Sequence, residues 1–472
     1  MRWRATLQRL SPRQILVLGF GCFLLWGFPG YMSTDSAIQL AEARAVRFSD
    51  GHPPFMAAEW LLLDKLVSGP LLMLVLQGLL FLGGLYFLLK RLVSERTAAW
   101  TAVAILLFPP VMTPMAAIWK DSQMAAYLVA GTAAVIQPRL RTRIFGLVLL
   151  TIACALRHNA VAAVVPLVFF LFEWKPGIRW WKRFAILFAA MVFTFGAAFA
   201  VTRVLAIEHV RLTPAFSDIV GVLAYTHDRT DEDLDHVLRG TTLAHHTDIQ
   251  QRARRIVELR GQWRITLGDD WLFDYPQTPA HWAALNRAWK ELVFDDPHAY
   301  LEYHWVLFAR LLGLGEIPRA PVYNAFLEME VAMSEVDHNA SASFIQLWLG
   351  KAFYWLADHT PLFRPYFYVL IAFGLIALCC RDRLTLALFL SGFLYELSFF
   401  PVGVDPDYRY SHWMISAICI ASVILFLQRR ARGRDHRNDR DRRRSDQPER
   451  VAVLGGGRDD EQRGLEHEAG RE

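Results

Sequence analysis

The chain has 472 residues, of which 54% are hydrophobic and 13% aromatic, with a formal net charge of +5. Apolar runs of about 16 to 24 residues recur along it, close to the roughly 20 residues that cross a bilayer as a helix. That excludes a string of soluble domains. It excludes open sheets in the membrane part, whose backbone groups would go unpaired in lipid. The arginines gather in short loops and in the tail, which fits membrane topology and argues against a nucleic-acid partner. The fold class expected is an all-α polytopic membrane protein.

Taken in chain order, Arg2, Arg4, Arg9 and Arg13 precede an apolar run from Ile15 to about Pro29. No small-x-small cleavage pattern follows it, so an uncleaved first span with a cytoplasmic N-terminus is expected. Tyr31 to Lys65 is too polar to span. Asp35 opens it, and Ile38, Ala41, Ala45, Val46 and Phe48 recur near helical spacing, as in a helix lying on the membrane surface. Asp50-Gly51-His52-Pro53-Pro54 then makes a turn that sets a carboxylate and an imidazole beside two rigid prolines.

Further spans are expected at about 70–90, 97–114, 122–138, 144–157, 160–173, 184–206, 361–380, 384–401 and 410–428, ten in all. The short loops at 90–96, 139–143, 175–183 and 381–383 are basic. With ten spans they fall on one side together with the N-terminus and the region after Gln428, as the positive-inside rule requires. Arg157-His158 alone is basic on the opposite face. The organisation expected is an N-terminal membrane module over 1–206 with a first outer loop at 32–69. An external helical region over 207–360 follows, then spans over 361–428 and a disordered cytoplasmic tail over 429–472. Ser343 to Leu356 is read as interfacial. The tail's Gly455-Gly456-Gly457 has no strand or helix framing it as a phosphate loop.

Four polar clusters then face the non-cytoplasmic side, each at a span end. They are Asp35 with Asp50 and His52, Trp119-Lys120-Asp121-Ser122, Arg157-His158-Asn159, and Asp405-Pro406-Asp407-Tyr408-Arg409-Tyr410. They supply carboxylates for a base or a metal, cations for a phosphate and aromatics for a sugar. Each also has a plain structural role open to it. Asp35 and Asp121 suit helix caps, Lys120 suits snorkelling, Arg157 and His158 suit lipid phosphate, and Asp407 with Arg409 suits an ion pair. The carboxylates and His52 suit a divalent ion, although no ligand spacing demands one. Cys22, Cys154, Cys379, Cys380 and Cys419 have no metal-ligand spacing and read as small core residues. His245-His246 reads as surface, and Asn339-Ala340-Ser341 matches a glycosylation sequon.

The Asp just after the first span, the Asp-x-His-Pro-Pro turn at 50–54 and the charged pairs at later outer span ends resemble the GT-C superfamily. Within it the chain is similar to the family 39-like membrane glycosyltransferases, the protein O-mannosyltransferases and the aminoarabinose transferases of lipid A. The resemblance covers roughly 10–430 and is carried mainly by 31–65. It implies a GT-C-like fold of about ten spans in a bacterial inner or plasma membrane, with the site on the non-cytoplasmic face. It also implies a polyprenyl-phosphate-linked sugar donor and a protein, lipid or glycan acceptor. Asp35 matches the family's catalytic carboxylate and Asp121 its second acidic position. Asp50, His52, Lys120, Arg157, His158, Asp407, Arg409 and Tyr410 are the candidate substrate-binding residues. Ser36 stands where many relatives carry Glu. Two other classes stay open: an O-antigen-type polymerase or ligase, and a lipid-linked glycan flippase.

Overall fold

The computed structural model describes residues 10–49, 51–175, 177–206, 215–227, 229–258, 272–274, 276–318, 320–322, 342–379, 382–403 and 405–445. Among them the chain is helical throughout, with two isolated bridges in place of any strand. The first helix, α1 (Pro12–Gly27), opens on a capping box in which Ser11 and Gln14 satisfy each other's backbone donors, with Pro12 at the first helical position. It ends before Pro29, which has no N–H to continue the ladder. Two short helices follow in the first loop, α2 (Thr34–Ala45) and α3 (Phe55–Asp64), and Arg44 Nε joins their far ends by a 2.9 Å ion pair to Asp64.

The apolar segments expected from hydropathy are all helical. They are α1, α4 (Leu71–Leu89), the pair α5 (Glu95–Leu106) and α6 (Pro109–Met115), α7 (Lys120–Val135), α8 (Leu140–Leu156), α9 (Ala160–Leu171) and α10 (Trp180–Leu205). Towards the C-terminus come α17 (Pro365–Cys379), α18 (Arg383–Leu397) and α19 (His412–Ser445). Among the described residues three helical stretches, Leu71–Leu89, Trp180–Leu205 and Tyr408–Arg430, are long and apolar enough to cross a membrane by themselves, or four if the α5–α6 pair is one span. That pair bends by 71°, where Pro109 and Pro110 break the ladder. The remaining segments carry 12 to 17 residues, shorter than the hydropathy pattern suggests, because polar turns cut into their ends.

Helices α4, α7 and α8 approach through glycine. A Cβ on Gly84 would lie 2.8 Å from the Ala130 backbone nitrogen, and one on Gly146 2.7 Å from that of Val135. Backbone meets backbone there, in the C-terminal half of α7, which ties that end of the helix into the bundle.

The described residues between 215 and 311 build a second apolar core from α11 (Ala215–Tyr225), α12 (Asp231–Val237), α13 (Ile249–Glu258), α14 (Pro279–Asp295) and α15 (Pro297–Leu311). Leu223, Leu234, Ile249, Phe273, Leu285 and Leu292 are buried in it. Asp218 is buried with them, accepting a 2.8 Å hydrogen bond from Trp289 Nε1, with His304 Nε2 at 3.3 Å. This stretch, expected to be external, is a packed helical body. Its α15 meets the loop near Pro401, where Tyr300 donates to the Pro401 carbonyl at 3.1 Å and Phe308 packs on Phe400. The next described helix is α16 (Phe344–His359).

The helix begun at His412 runs on to Ser445, into the stretch expected as a tail, while 446–472 lie outside the described residues. The chain divides into two compact units, Met1–Ser422 and Val423–Glu472.

Candidate active site

The site begins with a short piece of extended backbone. Tyr31 pairs with Ala117 as a parallel bridge: its N–H donates to the Ala116 carbonyl at 3.0 Å, and Ile118 N–H donates to its carbonyl at 2.8 Å. Ser36 Oγ, fully buried, donates to the Ile118 carbonyl at 2.7 Å, and Trp119 Nε1 donates to Ser33 Oγ at 2.9 Å. These four bonds sew residues 31–36 to 116–119, immediately before Lys120 and Asp121. Asp35 sits in the first turn of α2, where a carboxylate also complements the helix dipole.

Around Asp35 the other clusters converge. Arg409 Nη1 stands 2.7 Å from its Oδ2 and His52 Nε2 3.9 Å from its Oδ1. Arg409 also lies 3.2 Å from Asp407 through Nε, an ion pair at an angle outside hydrogen-bond geometry. Its guanidinium is held over the rings of Trp119 and Tyr410, each 5.2 Å away. Lys120 Nζ is 2.8 Å from His52 Nδ1. An ammonium can only donate, so Nδ1 accepts and the ring proton stays on Nε2, facing Asp35.

A second ion pair lies behind the first. Arg157 Nη1 reaches both oxygens of Asp121, at 2.9 and 3.0 Å, and Tyr395 donates to Asp121 Oδ1 at 3.4 Å. Arg157 stacks on Tyr410 at 4.5 Å and Phe399 at 5.3 Å, and its Nε donates to Asn159 Oδ1 at 3.2 Å. Asn159 in turn reaches Ser398 Oγ at 3.4 Å. Arg157 and Arg409 thus share the Tyr410 ring, which is stacked face to face on Phe399.

Exposure separates the two acids. The side chain of Asp35 is 28% accessible and that of Asp121 is 1%. Asp121, expected as a second catalytic acid, is buried and engaged on both oxygens by Arg157, with Tyr395 on one of them. Among the candidate binders, His52, Lys120, Arg157, Asp407, Arg409 and Tyr410 belong to the cluster. His158 is exposed and touches none of them, although the Lys120 charge reaches it. Asp50 lies outside the described residues.

Electrostatics sets the protonation states. Burial by itself would raise the Asp35 carboxyl, but Arg409, His52 and Lys120 together hold it well below the ordinary carboxylate range. Burial, and next the Lys120 ammonium, lower the His52 imidazole to about 4. At neutral pH Asp35 is therefore an anion beside a neutral His52. Among the described residues, no carboxylate pairs with Lys120.

Several participants carried no signal in the sequence. Tyr395, Ser398 and Phe399 lie at the end of an apolar run, and Ser36 looked like a missing acid, whereas it pins the loop. Glu59 and Tyr127, hydrogen-bonded to each other where α3 meets α7, were also missed. Burial raises the Glu59 carboxyl to about 7 against that bond. Among the described residues, no group of three or more His, Cys, Asp and Glu side chains is arranged to hold a metal ion. The chain matches no protein-family model, no curated protein and no solved structure.

Proposed function

We propose that the chain is a membrane glycosyltransferase that moves a sugar from a polyprenyl-phosphate-linked donor to an acceptor hydroxyl or amine on the non-cytoplasmic side. The observation that carries this reading is the convergence of four polar clusters, drawn from residues 35 to 410, on one accessible carboxylate ringed by cations. The reading includes the GT-C-like ten-span topology with its basic loops inside, in a bacterial inner or plasma membrane.

In this mechanism Asp35 takes the proton of the acceptor as the acceptor oxygen or nitrogen attacks the anomeric carbon. The bond from that carbon to the donor phosphate breaks, and its electron pair leaves on the phosphate oxygen. Lys120 and Arg409 stabilise the charge that develops there. Asp35, Asp121 and Asp407 offset Lys120, Arg157 and Arg409, so the basin is close to neutral and the donor brings its own negative charge. Direct displacement inverts the anomeric centre. Asp35 Oδ1 is the base oxygen, since Oδ2 is held by Arg409.

The packed external body, with its own core, favours a second reading as an O-antigen-type polymerase or ligase. One assay separates the two. Purified Asp35→Asn and wild type are given a radiolabelled polyprenyl-phosphate sugar in liposomes with membrane extract as acceptor. The expected result is loss of transfer in Asp35→Asn with donor binding intact. Undiminished transfer, or retention of configuration in the product, counts against the proposed mechanism. Transfer by wild type only from a diphosphate-linked oligosaccharide favours the polymerase or ligase.

A further inference from the structure

Helix α16 (Phe344–His359) carries two apolar stripes on opposite sides. Gln346, Gly350, Phe353 and Ala357 are buried, at the spacing of one helical face. Phe344, Trp348 and Trp355 repeat that spacing on the other side and are 81%, 62% and 57% exposed, with the exposed Lys351 between the two tryptophans.

The buried stripe meets a single place. Gln346 Nε2 donates to the carbonyls of Trp26, at 3.0 Å, and Phe28, at 2.6 Å, and the Phe353 ring packs edge-on against Trp26 at 5.0 Å. Gln346 and Phe353 are about 10 Å apart along the helix axis, yet both touch the last turn of α1. A helix running beside α1 through the bilayer would touch successive turns of it. α16 instead lies across its end. That end is level with the start of α4: a Cβ on Gly27 would be 3.3 Å from Leu74, and one on Gly30 would be 3.0 Å from Pro70. Because α4 is one of the three helices able to cross a membrane, α16 lies at the edge of the apolar layer.

We propose that α16 is an interfacial helix whose outward stripe of Phe344, Trp348 and Trp355 is seated in membrane lipid, with Lys351 reaching the headgroup phosphates. Tryptophan prefers this depth, where its ring is apolar and its N–H stays wet. A lysine on the same stripe is tolerated because its ammonium snorkels to the phosphates. The lipid contact also bears on the site. The Trp26 carbonyl that accepts from Gln346 accepts from Tyr31 Oη as well, at 2.5 Å, and Tyr31 begins the bridge that positions Asp35. α16 therefore braces the turn from which the Asp35 loop departs.

The test measures depth and not transfer, so its failure leaves the glycosyltransferase reading standing, and the converse holds. In the full chain with the five cysteines changed to serine, Trp348→Cys is labelled with an environment-sensitive fluorophore and reconstituted in phosphatidylethanolamine–phosphatidylglycerol liposomes. The expected result is strong loss of emission with lipids bearing a nitroxide near the headgroup, and weak loss with chain-end nitroxide or aqueous iodide. Strongest loss with chain-end nitroxide would make α16 a span and overturn the proposal. Loss with iodide alone, or with none of the three, would overturn it too. If the serine-substituted chain does not fold, a photoreactive benzophenone residue at 348 in the otherwise unaltered chain serves. Lipid adducts on irradiation are expected, and adducts to a second copy would overturn the proposal.

Discussion

Asp35 and Asp121 are residues of one type at similar places, each in the first turn of a helix, and only their surroundings separate them. Asp121 is the buried partner of Arg157. Removing its charge leaves that guanidinium unpaired, which costs about 3–5 kcal/mol in a buried pair. Asp35→Asn costs less, because Arg409 keeps Asp407. Unfolding followed by intrinsic fluorescence in detergent should therefore show Asp121→Asn far less stable than Asp35→Asn. Equal melting of the two variants would contradict the division of roles. The imidazole of His52 offers a second check. Its folded value near 4 lies below the ordinary value of about 6.5, so unfolding favours proton uptake and stability falls as pH drops through that window. After burial, Lys120 is the largest cause of the depression. Lys120→Met should move His52 upward, and the acid limb of the transfer rate should shift to higher pH. An acid limb at the wild-type position would show that His52 does not govern it.

At the scale of elements, α7 carries Lys120 and Asp121 at its start and is anchored at its other end by the glycine contacts of α4, α7 and α8. A Cβ on Gly146 would sit 2.7 Å from the Val135 nitrogen and 2.9 Å from the Gly131 carbonyl oxygen. Neither backbone atom can rotate away. Gly146→Val should cost at least the 1–3 kcal/mol typical of about one overpacked position, read as a lower yield of monodisperse protein and a lower melting temperature. Gly83→Val, where nothing lies within 4 Å, should leave both unchanged. These contacts were not legible beforehand, since hydropathy reports that a segment is apolar and not which neighbour it meets. Helix positions were legible for a physical reason: long apolar runs in lipid have few alternatives to the helix. The convergence of Asp35, Lys120, Arg157 and Arg409 was legible too, through the charges of loops elsewhere in the chain. The burial of Asp121, the ring pair of Phe399 and Tyr410, and the use of Ser36 as a pin depend on tertiary contacts that no local pattern records.

At the scale of the molecule, the site constrains how many times the chain crosses the membrane. His52 touches Lys120, so an even number of crossings separates them, and α4 must be joined by the bent α5–α6 pair. Lys120 adjoins Asp121, which holds Arg157, so α7 and α8 either both cross or both stay. Arg157 and Arg409 share Tyr410, so α10 needs at least one more crossing among α9, α17 and α18. Three or four spans alone cannot satisfy these contacts. Ten satisfy all of them, although α7 and α8, at 16 and 17 residues, reach only about 24–26 Å against a hydrocarbon core of roughly 30 Å. The polar termini that shorten these helices are those that carry Lys120, Asp121 and Arg157. Two positions decide between the counts. With ten spans, Arg141→Cys and Arg383→Cys lie inside with Ser94→Cys, while Val402→Cys lies outside. An impermeant thiol reagent on intact cells should then label only the last, and permeabilisation should reveal the other three. Labelling of Arg141→Cys from outside would mean that α7 and α8 turn back within the membrane, making Lys120 and Arg157 parts of a re-entrant hairpin.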